Sequence, residues 1–339
     1  MKKISIILAA LFLILFTFSC DESMETKKPQ TALEFLEAKG NYTILIKALA
    51  KTNLTNTFKN PGSVTLFAPN DAAFSTANIS AANIDAMTTA QTASLSKILQ
   101  YHVINVGTQS FDLPNGGYTN TISTSTFGTS TVNISLFVNR ATGVLLNGGA
   151  ANGGATVTSG DNYVSNGVIH EISNVLSLPK VTNLIIANPN LSTLVTVLSG
   201  TAATPGTFGD QSATLTALNG VGPFTVFAPL NSAFNAATTG TGFLTGTNVT
   251  ASNVTKVLQY HVSSTGNLTS SSATSWNTTV TDATITTLAT QTFLISKGTV
   301  KITELPVQTG VPASNIKLVN IQATNGVIHT IDRVLKPVL

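Results

Sequence analysis

Short apolar runs ended by Pro, Gly or Asn alternate with stripes of helical period along this chain. Val64 to Ala68 reads as a strand that Pro69 stops, and Asp71 then stands where it can cap a helix carrying Ala72, Ala73 and Phe74. Leu95, Ile98, Leu99 and His102 fall at i, i+3, i+4 and i+7, one face of a helix. Asn166-Gly167 is the signal of a two-residue hairpin, because both central positions of that turn favour φ > 0. It predicts a strand over Tyr163-Ser165 pairing with one over Val168-Leu176. Gly116 to Gly160 alternates Thr, Ser, Val and Ile between Gly-rich turns, which suits short strands, and Gly148 to Gly154 reads as a mobile loop.

The same pattern is written twice. Lys97-Ile98-Leu99-Gln100-Tyr101-His102-Val103 recurs as Lys256-Val257-Leu258-Gln259-Tyr260-His261-Val262. Asn166-Gly167-Val168-Ile169-His170 recurs as Asn325-Gly326-Val327-Ile328-His329, and Leu66-Phe67-Ala68-Pro69 as Val226-Phe227-Ala228-Pro229. Asn231 takes the place of Asp71, and Val254, Val257, Leu258 and His261 repeat the helical stripe. Leu318-Ala323 and Val327-Leu335 are the second hairpin's strands. A period of about 160 residues means tandem domains and not a solenoid. The boundary falls near Leu178-Pro179-Lys180, where Pro breaks the last strand and a helical pattern over Val181-Ile186 begins. The expected domains are 31–178 and 179–339.

These blocks resemble the fasciclin domain. The family's first motif is a strand ending in F-A-P followed by a polar cap and A-F, here Thr65 to Phe74 and Thr225 to Phe234. Its middle motif is Tyr-His after a Leu-rich helix, at 101-102 and 260-261; its last is N-G-V-I-H before an apolar strand, at 166-176 and 325-335. The resemblance covers roughly residues 31 to 339. It implies an α+β fold, each domain a wedge-shaped β-sandwich with helices packed on one side. It also implies a secreted or surface protein associated with adhesion. In animal members a Tyr-His motif flanked by branched aliphatics is implicated in integrin binding, and Leu99, Val103, Leu258 and Val262 are such flanks here.

Upstream of the repeat lies an export signal, residues 1–19. Lys2 and Lys3 precede an apolar run from Ile4 to Phe18, too short for a comfortable membrane span. The run ends at Ser19-Cys20, and Cys20 is the only cysteine in the chain, so the fold holds no internal disulfide. A small residue before Cys at that place resembles a bacterial lipobox, which makes Cys20 the expected lipidation site and 20–30 a short anchored tether closed by Pro29. Asp21-Glu22 resemble surface-export signals of some Gram-negative lipoproteins, while Asp after the Cys elsewhere means inner-membrane retention. The expected location is the outer membrane or cell surface.

Composition narrows the function. Charged residues are only 9% and apolar residues 42%, which excludes a disordered chain. A net charge of +3 is no footprint for nucleic acid. All four histidines lie in the paired motifs. No Asp, Glu or Cys recurs beside them in both copies: Glu171 faces Thr330, and Asp332 faces Ser173. A zinc site wants three or four ligands, so Tyr101, His102, His170, Tyr260, His261 and His329 read as structural family-motif residues. No matched acid pair, G-x-S-x-G elbow or dinucleotide loop is found; Gly240-Thr241-Gly242 has its third Gly one place late, at 246. The reading is therefore a lipid-anchored adhesion or matrix-binding protein with no catalytic residue, metal or cofactor. Its partner would be a surface or matrix protein or a polysaccharide. The alternative is an accessory glycan-binding lipoprotein of an outer-membrane uptake system. Sugar sites usually show exposed aromatics, and one Trp, Trp276, with five Tyr disfavours it.

Overall fold

The computed structural model describes residues 29–200, 208–238, 244, 249–270, 282–296, 298, 300–307 and 312–339. The expected export signal, Cys20, nearly all of the expected tether, Trp276 and Gly240, Thr241, Gly242 and Gly246 lie outside them. Residues from Thr31 to Leu339 form one compact unit.

The first domain opens with a layer of short helices. Thr31 caps α1 (Ala32–Lys39) with a capping box to Glu34, and Gly40 ends it at φ +73°. α2 (Thr43–Lys51) and α3 (Thr55–Lys59) follow, then strand β1 (Val64–Pro69), α4 (Asp71–Thr76), α5 (Ala81–Asp85) and the long α6 (Thr89–Tyr101). The remaining strands are β2 (Val103–Ile104), β3 (Gly117–Phe127), β4 (Ser130–Asn139), β5 (Leu145–Leu146), β6 (Ala155–Val164) and β7 (Gly167–Ile172). They make a seven-stranded sheet in the order β2-β1-β7-β6-β5-β4-β3. Every neighbour pair is antiparallel except β1 with β7, where Val64 pairs with Gly167 and Pro69 with Ile172.

The central strands are apolar on both faces because both are covered. Leu66, Ala68 and Ile169 meet Leu36, Leu45, Phe58, Phe74, Leu95 and Leu99 from the helices. Phe67 and Ile172, on the other face, meet Ile134, Leu136 and Val138 of β4. One continuous sheet thus curls until its β4 end lies over its centre, and the two layers of the expected sandwich are ends of the same sheet.

The second domain repeats this. Its helices are α7 (Val181–Ala187), α8 (Ser192–Ser199), α9 (Ser212–Leu218), α10 (Asn231–Thr238) and α11 (Ala251–Tyr260). Its strands are β8 (Phe224–Pro229), β9 (Val262–Ser263), β10 (Ala283–Thr286), β11 (Thr292–Ile295), β12 (Lys301–Glu304), β13 (Ser314–Ala323) and β14 (Gly326–Ile331). The order β10-β11-β12-β13-β14-β8-β9 matches the first sheet strand for strand, with β14–β8 the parallel pair. Among the described residues no single helix is long and apolar enough to cross a membrane.

Four local expectations are corrected. The hairpin turn is Ser165-Asn166, not Asn166-Gly167, since Val164 pairs with Gly167. Gly167 is the first residue of β7 at φ +148°, and a Cβ there would lie 1.9 Å from the Val64 carbonyl oxygen. Close approach of the parallel neighbour, not turn geometry, requires glycine. Asn70, not Asp71, caps α4 by accepting from the Ala73 N–H. Asp71 turns away to accept from the Thr43 and Ile44 N–H groups at the start of α2. Asn231 likewise accepts from Thr193 N–H in α8. The strands within 116–160 are long: β3 has 11 residues and β4 has 10. Gly148–Gly154 is a hydrogen-bonded turn, not a loose loop: Gly154 N–H donates to Gly149 O, and Asn152 donates to Asn147 O and to Asn183 O of α7.

Candidate functional site

His102 ends α6 and His261 ends α11, each in the C-cap position. The helical stripe turns both rings inward, to 1% and 4% exposure. The ring of His102 spans two backbone groups. Its Nε2 accepts from the Leu176 N–H at 2.9 Å, and its Nδ1–H donates to the Ile98 carbonyl at 2.8 Å. His261 does the same between Leu335 N–H at 2.8 Å and Val257 O at 2.7 Å. An amide N–H can only donate, so the nitrogen facing it must be unprotonated and the other must carry the proton. Each ring therefore stitches the last helical turn to the segment after the final strand.

His170 and His329 lie on the central strands β7 and β14, fully buried. Each stacks on the Phe of the F-A-P motif, Phe67 or Phe227, with ring centroids 5.5 Å apart. Nδ1 of His170 accepts from Asp161 N–H at 3.2 Å, and Nε2–H donates to Thr108 O at 3.0 Å. His329 repeats this with Asn320 N–H and Leu268 O. Burial, only partly offset by these backbone bonds, pushes His102, His261 and His329 down to about 4 and lowers His170.

The tyrosines are equally enclosed. Tyr101 OH donates to Ser135 O at 2.8 Å and accepts from the Asn147 amide at 2.9 Å. Tyr260 OH donates to Thr292 O at 2.7 Å, and its ring meets Phe293 edge-on. Burial raises both phenols. The flanks Leu99, Val103, Leu258 and Val262 are buried too, so the Tyr-His motif presents nothing to a partner at the surface.

The first and second histidine of each domain share no partner. All eight ring nitrogens are engaged by backbone groups, and among the described residues no group of three His, Cys, Asp or Glu is gathered as metal ligands would be. Glu171 pairs with Lys39 at 2.9 Å, and Asp332 accepts from Asn315 and Lys317. What this constellation does chemically is hold four neutral imidazoles, each as a strut between two backbone groups.

Sequence reasoning missed three sets of residues. Asp161 and Asn320 sit at φ +57° and +61° at irregularities in their strands, where Asp and Asn tolerate the left-handed conformation. Asp161 accepts from Ser110 N–H at 2.7 Å, as Asn320 does from Ser270 N–H at 2.8 Å. Asn166 accepts from Ala32 N–H and donates to Phe58 O and Asn60 O; Asn325 does the same with Val181, Leu218 and Gly220. The third set joins the domains. Tyr118 OH donates to Leu184 O at 3.0 Å and accepts from Asn188, and Gln322 N–H donates to Ser135 Oγ at 3.0 Å. A cleft of about 450 Å³ opens at this seam, lined by Tyr118, Asn120, Ser135, Leu318 and Asn320 among others.

Comparison with known proteins follows the repeat. The family model for the fasciclin domain matches residues 40–179 and again 189–337. No curated protein matches the sequence. Among solved structures, a FAS1 domain pair from the insect cell adhesion molecule fasciclin I is similar at 17% identity. That likeness covers 88% of this chain and 97% of that chain, with a TM-score of 0.43.

Proposed function

The chain belongs to the fasciclin-domain family, and from that membership we propose that it is a lipid-anchored cell-surface adhesion module that binds a surface or matrix protein or a polysaccharide and catalyses nothing. The observation that carries this reading is the complete domain written twice, 40–179 and 189–337. Fasciclin domains are in general non-catalytic modules of extracellular and cell-surface proteins. The site agrees with that role, because the motif histidines have no lone pair or proton to offer a substrate. The positive leader, the apolar run to Phe18 and the sole cysteine at 20 support an acylated N-terminus. An acyl chain contributes about 0.8 kcal/mol per buried CH₂, so more than one chain on Cys20 would anchor the protein stably.

Two measurements test it. Fractionation of producing cells should find the parent in the outer membrane and Cys20→Ala outside it; a variant that stays with the membrane defeats the anchor. Adherence of producing cells to surfaces coated with protein or with polysaccharide should exceed that of a deletion strain. Equal adherence on every coating defeats the adhesion reading, and binding of soluble oligosaccharide alone favours the accessory glycan-binding role.

A further inference from the structure

The seam between the two domains is built from parts that the repeat supplies twice. Its first half is the outer face of β3–β4, with Ser135, Phe137 and Tyr118; its second half is β13 around Gln322. Domain 1 gives the first half and domain 2 the second. The second half of domain 1 and the first half of domain 2 are therefore left without a domain seated on them among the described residues.

Register identifies both leftover halves. Tyr163 pairs with Val168 as Gln322 pairs with Val327, so Tyr163 stands where Gln322 stands. Gln322 is 2% exposed beneath domain 1, whereas Tyr163 is 63% exposed. Phe111, 62% exposed, adjoins Ser110, which is bonded to Asp161 two residues before Tyr163. On the other domain, Tyr260 OH donates to Thr292 O as Tyr101 OH donates to Ser135 O, which makes Thr292 the counterpart of Ser135. Leu294, half-buried, is then the counterpart of the fully covered Phe137. Thr284, opposite Leu294, replaces the Tyr118 anchor. The aromatic surface this second seam lacks on β10–β11 is present on the β6 side, in Tyr163 and Phe111.

We propose that the β6 face of domain 1 receives the β10–β11 face of domain 2 from a second copy of this chain, so that chains join head to tail through the geometry that already joins the two domains. Tyr163 N–H meets Thr292 Oγ1 as Gln322 N–H meets Ser135 Oγ, and the two exposed aromatics lie against Leu294. The contact is heterologous: each chain offers one half at each end, so association continues beyond a dimer unless the rotation closes a ring. This inference stands on the interdomain geometry and not on the adhesion reading.

The test is sedimentation of the full chain, purified from producing cells in detergent, over a wide concentration range. Parent protein should form a series of species larger than a dimer. Tyr163→Asp and Thr292→Asp should each weaken association at least about tenfold, the scale of a buried interface residue, with unchanged melting. Phe111→Asp serves if Tyr163→Asp misfolds, and Thr284→Asp if Thr292→Asp does. The decisive sample mixes the two variants. Each keeps one intact half, so the mixture should form a dimer and stop there. A parent that stays monomeric, variants that associate like the parent, loss on the Tyr163 side alone, or a mixture that forms no dimer would each overturn the proposal.

Discussion

Four imidazoles with both nitrogens committed make pH a stability variable. Unfolded histidine titrates near 6.5, and the folded values of His102, His261 and His329 lie near 4. Below pH 6.5 the unfolded chain takes up protons that the folded chain refuses. Their contribution is therefore complete above pH 6.5 and is lost as pH falls toward 4, by about 1.4 kcal/mol per pH unit for each ring in the middle of that window. Melting temperature measured from pH 7.5 to 4 should fall steeply in that range; a flat profile would contradict the buried neutral rings. His102→Ala and His261→Ala should each cost on the order of 1–3 kcal/mol, because Leu176 or Leu335 N–H and the helical carbonyl lose their partner inside the protein. Denaturant midpoints check this, and a chelator should leave the parent unmoved. The inward placement of His102 and His261 was legible from the i, i+3, i+4, i+7 stripe, and that of His170 and His329 from the apolar strand after the Asn-Gly motif. Their partners were not, because a backbone N–H or carbonyl contributed by Leu176 or Thr108 leaves no mark on the identity of the residue.

Elements show where local reading slips by one. Asn-Gly suggested a turn in which both residues take positive φ, yet the Asn carries the tie to the helix layer and the Gly makes room for the neighbouring strand. Both are tertiary demands that mimic a local one. Asn166→Ala would leave Ala32 N–H, Phe58 O and Asn60 O without their partner and should cost about 3 kcal/mol, near one per lost bond; Asn325→Ala should match it in the second domain. Thermal melts of both variants check it, and changes below about 0.5 kcal/mol would show the ties are solvated substitutes. Asp71→Ala should cost about 1 kcal/mol by freeing the first turn of α2, while Asn70→Ala should loosen α4 instead. The helices α6, α7 and α11 and the central strands were readable because their apolar period follows a covered face, whereas the short helices α1, α2, α3, α5, α8 and α9 went unread. Long β3 and β4 were read as short because Thr and Ser interrupt them, and only sheet pairing shows that Ser123 and Ser135 are interior.

At the scale of the whole molecule, the apolar run Leu136-Phe137-Val138 in β4 was an overlooked signal, since a strand covered on one face alternates and this one, buried at every position from Ile134 to Val138, does not. Domain 1 covers one side of it and domain 2 the other. Each half, 31–178 and 179–339, carries all three motifs and is expected to melt cooperatively when expressed alone. The second should melt lower than in the intact chain, because separation removes Ser135 from the Gln322 N–H and Tyr118 from the Leu184 carbonyl. Calorimetry of both halves checks this, and absence of a transition in both would mean the seam is obligatory. The parallel pairing of β1 with β7 bears on how the protein is made. Val64 and Gly167 must meet across a closed loop of about 100 residues before the centre of domain 1 exists, and such long closures slow folding. In a chain emerging N-terminus first, β2 pairs with one edge of β1 early, but the other edge stays open until β7 follows. The middle of the sheet therefore closes last, when the final hairpin brings Gly167 against Val64.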